Sequence, residues 1–151
     1  MTAFESVQAL AAATGRVLGT SDWQVITRDR ILAFAEVTGD RQWIHVDDRR
    51  AREEGPFGDV VAHGALTLSL VPVFVQDQLR VRGISMMINA GLEKVRFRTP
   101  VPAGARVRGR VQLADVVAMD GATRVLARTT VLVEGSPKPA CVADQVVVLH
   151  A

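Results

Sequence analysis

One cysteine, no tyrosine and aromatic residues at only 5% of the chain exclude several classes of protein before any motif is considered. Cys141 has no second cysteine to pair with, so no internal disulfide forms and the sequence predicts a reduced, cytoplasmic chain. A cysteine in a Val-rich segment reads as core, because a nucleophilic thiolate needs a polar, cation-flanked setting. So few aromatics offer no platform for stacking bases, and a net charge of +2 is too small for a nucleic-acid footprint. No uncharged apolar run reaches the roughly 18 to 20 residues of a membrane helix, and no basic segment followed by an apolar run opens the chain. The expected partners therefore include no nucleic acid and no membrane. The histidines at 45, 63 and 150 and the lone cysteine show none of the usual ligand spacings, so no metal site is expected.

What is present fits one domain spanning 1–151, long enough to bury a continuous core. Residues 4–13 have apolar positions at helical spacing and end at Gly15, and 21–26 reads as a short strand. Thr27 is placed to cap a helix with the apolar stripe Ile31, Phe34, Ala35 and Val37, which Gly39 closes. A charged helical segment follows over 46–54, with Asp47 and Asp48 at its positive end, and then the breaker Gly55-Pro56-Phe57-Gly58. From Ala65 to about Leu79 the chain is apolar on nearly every face, which predicts a buried helix, kinked or ended early by Pro72. Beyond Gly83 the period changes to two. Val107, Gly109, Val111 and Leu113 alternate with Arg106, Arg108, Arg110 and Gln112, and similar strands are expected at 86–99, 123–134 and 141–149, with Asp120-Gly121 as a hairpin turn. Helices first and long antiparallel strands after them define an α+β domain whose sheet packs on the buried helix.

Two segments carry chemistry. In Thr38-Gly39-Asp40-Arg41-Gln42-Trp43-Ile44-His45, an acid and an imidazole stand five residues apart, which on one continuous helix would point them about 140° from each other. They converge only if the helix stops, and Gly39 supplies the stop. Further on, His63-Gly64 opens the apolar helix, where the Gly64 amide would lack an intrahelical partner and would point outward with the positive end of the helix dipole. Acid, base and free amide are the parts needed by a reaction in which a carbonyl oxygen gathers charge. The alternative roles are plain ones: Asp40 capping a turn, His45 packing on a surface, His63 as a structural hydrogen bonder and Gly64 as a close helix–sheet contact.

Read together over nearly the whole length, these segments make the chain similar to the MaoC-like (R)-specific enoyl-CoA hydratase family, in its single-hotdog, NodN-like branch. Phe34, Thr38, Gly39-Asp40 and Ile44-His45 fill the places of the family motif. Val60-Val61-Ala62-His63-Gly64-Ala65-Leu66 and Val95-Arg96-Phe97 to Pro100-Val101 resemble further family segments. One departure is Gln42-Trp43, where many members carry Asn-Pro; it leaves acid and base in place and bears on acyl-chain preference.

The resemblance implies a hotdog fold, a curved antiparallel β-sheet wrapped around a long buried central helix, usually as a homodimer. It implies a lyase that reversibly adds water to a trans-2-enoyl-CoA to give an (R)-3-hydroxyacyl-CoA. Asp40 and His45 would hold and activate the water, one of them returning a proton to the α-carbon, and the Gly64 amide would be the oxyanion donor. Asn89, on an expected strand, is a further substrate-contact candidate. The resemblance implies no cofactor, coenzyme A being part of the acyl-CoA substrate. The arginines 80, 82, 96, 98, 106, 108 and 110, with Lys94, are either a solvated face or an attraction for the coenzyme A phosphates. A hotdog thioesterase would place a carboxylate on or beside the central helix, where only Asp77 is available, and a non-catalytic acyl-binding or dehydratase-subunit module would have no chemical reason to keep both Asp40 and His45.

Overall fold

The computed structural model describes residues 2–151. The chain opens with β1 (Thr2–Phe4), and Ser6 then caps α1 (Val7–Ala12) by accepting from the Ala9 amide. The expected helix over 4–13 is therefore shorter, because Phe4 is drawn into a strand. A short β2 (Val17–Thr20) and a two-residue β3 (Gln24–Val25) replace the expected 21–26 strand, both pairing with a later strand.

The Thr27 hydroxyl accepts from the Arg30 amide and starts α2 (Arg28–Thr38), and Gly39 ends it in the left-handed region at φ 77°. Ile31 and Ala35 are buried as expected, whereas Val37 is 87% exposed. Two short helices follow, α3 (Trp43–Val46) and α4 (Asp48–Glu53), the latter capped by Asp47. The apolar run folds as α5 (Gly64–Ser69) and α6 (Val71–Gln78). The long central helix is thus broken at Leu70. Pro72 lies in the first turn of α6, where its missing N–H costs nothing, so the proline marks a restart rather than a kink.

After β4 (Leu79–Val81), which pairs in parallel with β1, come the long strands β5 (Met86–Phe97), β6 (Arg106–Met119), β7 (Ala122–Val133) and β8 (Cys141–His150). The sheet runs in the order β2-β6-β7-β8-β5, with β3 also on β6, and the pairings among its members are antiparallel. At the β6–β7 hairpin Met119 pairs with Ala122 around Asp120-Gly121.

The alternation along the sheet explains the core. Val107, Val111 and Leu113 of β6, Val125, Ala127 and Val131 of β7, and Cys141, Ala143 and Val147 of β8 face inward and are fully buried. They meet Val71, Phe74 and Val75 of α6, also fully buried, so one cluster joins the helix to the sheet. Burial raises the Cys141 thiol above its ordinary pKa, in keeping with a core role. At the far edge β5 presents Met86, Ile88, Leu92 and Phe97 to solvent.

Candidate active site

Gly39 turns the chain off α2, and Thr38 Oγ1 then accepts a hydrogen bond from the Asp40 amide at 3.3 Å, while Asp40 Oδ1 accepts from the Gln42 amide at 3.3 Å. These local bonds shape the five-residue step on which convergence depends. α3 then carries His45 inward, where it is buried. A carboxylate oxygen of Asp40 and ring nitrogens of His45 and His63 all lie within 4.8 Å of one another.

The hydrogen bonds assign the imidazole protons. His45 Nδ1 lies 2.7 Å from the Val61 carbonyl oxygen, which can only accept, so Nδ1 carries the proton and Nε2 holds the free lone pair. His63 Nε2 is 2.9 Å from the Asp40 carbonyl oxygen and donates to it by the same reasoning. His63 thus makes a structural hydrogen bond that anchors the backbone of the acid. Its ring also stacks on His45 at 3.8 Å with 26° between the planes, and Phe34 closes over it at 5.0 Å.

Burial lowers the His45 pKa from its ordinary value of 6.5, the largest effect; the Val61 carbonyl opposes the shift, nearby His63 adds to it, and Asp40 opposes it. His45 is thus a neutral imidazole at pH 7, with its lone pair available. The triad of Asp40, His45 and His63 was not legible from ligand spacing. Its stacked rings also suit a metal poorly, since an imidazole binds a metal in its own plane and two nearly parallel planes 3.8 Å apart do not meet near one ion.

Gly64 is the first residue of α5, and its amide has no hydrogen-bond partner among the described residues. A cavity of about 360 Å³ opens here, walled by His45, Gly64, Ile44, Phe57, Thr67, Phe97 and Val101. Asp40, which is exposed, stands outside those walls within reach of His45. A β-carbon on Gly64 would come within 3.1 to 3.3 Å of the Phe97 ring, so a free amide and a close packing contact coexist at this glycine. The segment after β5 is stitched to the α5 entrance by Ala62 N–H to the Val101 carbonyl and Ala103 N–H to the Val60 carbonyl, 2.8 and 2.9 Å.

The structure brings Asp40, His45 and Gly64 together and leaves Asn89 outside the group. Asn89 is eight residues before Phe97 on β5, opposite Val147, and is not a wall of the cavity. Phe57, Thr67 and Phe97 are cavity residues that the sequence did not single out; Phe97 carried a signal only as part of a family-like segment. Of the arginines, Arg98 borders the cavity. Arg106 pairs with Glu134 at 3.0 Å, and Arg108 lies 4.3 Å over the Trp23 ring, so much of that stripe is a structured sheet face.

An antiparallel sheet curved about a buried helix pair, with an acid, an imidazole and a free amide at the mouth of an apolar cavity, defines a hotdog-fold domain with a candidate acid–base site. The MaoC like domain family matches residues 9–135, and the chain belongs to that family. It is 50% identical over 148 residues to 3-hydroxyacyl-thioester dehydratase Z of Mycobacterium tuberculosis, spanning 97% of each chain. It is 39% identical over 145 residues to nodulation protein N of Rhizobium meliloti, covering 95% of this chain and 90% of that one. Among solved structures, a monoamine oxidase regulatory protein from Archaeoglobus superposes with a TM-score of 0.80 at 18% identity, over 99% of this chain and 96% of that one. The (R)-hydratase of A. caviae gives 0.71 at 22% identity, over 89% and 94%. Those two likenesses concern the fold.

Proposed function

We propose that the protein is an (R)-specific enoyl-thioester hydratase and, in reverse, a 3-hydroxyacyl-thioester dehydratase, acting on coenzyme A thioesters without metal or organic cofactor. The observation that carries this reading is the fixed tautomer of His45: a neutral Nε2 lone pair beside the Asp40 carboxylate, at the wall of an apolar cavity that also holds the free Gly64 amide. The names of the 50% identical dehydratase and of a 3-hydroxybutyryl-CoA dehydratase, 34% identical over 95 residues, support the reaction class.

In the hydration direction Asp40 and His45 Nε2 each accept a hydrogen bond from one water. His45 takes the proton as the oxygen attacks the β-carbon, and the double bond shifts so that charge collects on the thioester oxygen. The Gly64 amide donates to that oxygen. The imidazolium then returns its proton to the α-carbon, so that H and OH have been added across the double bond and His45 is neutral again. Acid–base help of this kind contributes about 10² to 10⁴ in rate, and an oxyanion donor about 10² to 10³.

The deciding assay is the loss of enoyl-thioester absorbance on mixing purified protein with crotonyl-CoA and longer trans-2-enoyl-CoAs. Turnover with an (R)-3-hydroxyacyl product is expected; a folded protein inert at every chain length, or one that releases free coenzyme A, refutes the reading. Thioester hydrolysis has little support in the geometry, because Asp77 borders a separate cavity with Asp22 and Gln78.

The His45 shift also sets a pH dependence. With its pKa below 6.5 in the folded protein, the neutral form is the one the fold favours, so its contribution to stability is fully present above 6.5 and is lost as pH falls through the lowered value. Activity follows the same group. The acid limb of kcat/KM is expected to have its midpoint below 6.5; a midpoint above 7 rules out neutral His45 as the base.

The open edge strand β5, with Met86, Ile88, Leu92 and Phe97 exposed, supports a homodimer formed along this edge. Among the described residues no helix is long and apolar enough to cross a membrane, which suits the cytoplasmic location proposed for such an enzyme.

A further inference from the structure

We infer that Arg28 is a positioning residue that fixes the distance between Asp40 and His45, an inference that rests on the proposed acid–base role of that pair. The two groups hang from different elements. Asp40 follows the C-terminus of α2, while His45 belongs to α3, a four-residue helix too short to hold itself in place. The carbonyl groups of its last residues have no intrahelical donor.

Arg28, the first residue of α2, supplies those donors. Its Nη1 donates to the His45 carbonyl at 3.0 Å and its Nη2 to the Val46 carbonyl at 2.7 Å. The same guanidinium grips Asp48 in two-point fashion, Nε to Oδ1 at 3.0 Å and Nη2 to Oδ2 at 2.9 Å. One planar cation thereby joins the start of α2, the end of α3 and the start of α4. The Arg28 side chain is 24% exposed, and its hydrogen bond is the foremost cause of the depressed Asp48 pKa.

The arrangement closes a loop. From Arg28 the chain runs along α2 to Asp40, then returns through α3 to His45, whose own carbonyl is tied back to Arg28. On its other side His45 is held by its Nδ1 bond to Val61 and by the Val61 amide donating to the Ile44 carbonyl at 3.1 Å. Without Arg28, α3 keeps the Val61 attachment and the stacking of His45 on His63 but loses its hydrogen bonds to the start of α2, so the spacing of acid and base loosens. A misplacement of about 1 Å costs about a hundredfold in rate. Arg28 is not itself a wall of the cavity and meets His45 only at its backbone carbonyl, away from the reacting atoms, so substrate affinity is spared.

Lysine keeps the charge of Arg28 but not the planar fork that reaches two carbonyls and a carboxylate together. Arg28→Lys and Arg28→Gln are therefore both expected to lower kcat for crotonyl-CoA hydration about ten- to a hundredfold, with KM within about twofold of wild type. Asp48→Asn, which leaves both carbonyl bonds to Arg28 available, is expected to lose less than fivefold. A readout independent of turnover is the imidazole ¹⁵N spectrum of His45. Wild type is expected to show a single, sharp Nδ1–H tautomer, and Arg28→Gln the same tautomer, still held by Val61, with displaced or broadened His45 resonances as the ring samples several positions, in samples that melt cooperatively. Wild-type kcat together with a wild-type His45 spectrum in folded Arg28→Gln overturns the inference. So does a loss confined to melting temperature in Arg28→Lys and Asp48→Asn alike. A wild-type protein inert toward enoyl thioesters defeats the hydratase reading, and the ¹⁵N comparison then still decides whether Arg28 positions His45.

Discussion

His45→Gln is expected to lower kcat for enoyl-thioester hydration by about a thousandfold, and Asp40→Asn by a comparable factor, with both variants folded. Glutamine places an amide where the imidazole stood and can still donate to the Val61 carbonyl, which His45 reaches at 2.7 Å, but it cannot take a proton from water. Asp40→Asn is milder in structure, since the side chain is exposed and an asparagine Oδ1 can keep the bond from the Gln42 amide. What it loses is the negative charge that orients the water and steadies the imidazolium. If the two act on one water as a unit, the double variant is little slower than the worse single one, since residues of one catalytic unit are strongly non-additive. Initial rates on crotonyl-CoA, with thermal melts to verify folding, test this directly. A single variant retaining more than a tenth of wild-type kcat removes that residue from the chemistry. His45→Gln should also lose the part of the acid-side fall in stability that comes from charging a buried imidazole.

The site was legible in the sequence to the extent that it is local. Asp40 and His45 converge because Gly39 stops a helix, and a glycine at the end of an amphipathic segment is a visible signal. The Gly64 amide was legible for the same reason, as the first position of an apolar helix. The remainder depends on contacts between distant segments. Val61, whose carbonyl fixes the His45 tautomer, has no character of its own in the sequence, since the bond uses a backbone oxygen that every residue possesses. His63 bonding to the Asp40 backbone, and Phe97 standing over Gly64, likewise appear only once β5 and the segments around α5 are brought together.

The fold shows the same division. The four long strands announce themselves by period two, and their observed limits differ from the sequence reading mainly at the C-terminal end of β6, which runs on to Met119. Short elements do not: β1 and β4 are three residues each, exist by parallel pairing with one another, and are too brief to show a period. Val37 was placed on the buried stripe of α2 because it is apolar, but six residues after Ile31 it is rotated about 120° from that face. Pro72 was read as an interruption of one helix; in its first-turn position it is compatible with the start of a second.

Gly109→Ala is expected to destabilise the protein by about 3 kcal/mol, toward the upper end of ordinary overpacking costs. At about 2 to 4 °C per kcal/mol for a chain of this size, the melting temperature should fall by roughly 6 to 12 °C. Gly109 lies on the inward face of β6, opposite Val131 on β7, and α6 lays Phe74 directly against it. A β-carbon there would stand 2.5 Å from Phe74 Cδ2 and 2.6 Å from its Cβ, far inside van der Waals contact. Phe74 is fully buried and cannot swing into solvent, and one of the colliding atoms is its own β-carbon, so a change of rotamer leaves part of the clash in place. The helix must lift from the sheet, and the cost spreads through Val71 and Val75, which are buried on the same helix. Coupling separates this account from a general weakness of β6. Phe74→Ala alone leaves a void and should also destabilise, yet added to Gly109→Ala it removes two of the three colliding atoms, Cγ and Cδ2, and gives the new methyl room. The double variant should therefore be at least about 1 kcal/mol more stable than the sum of the single effects. Denaturant melts of the four proteins give the coupling, and strict additivity would show that the contact between Phe74 and Gly109 does not set the spacing of helix and sheet.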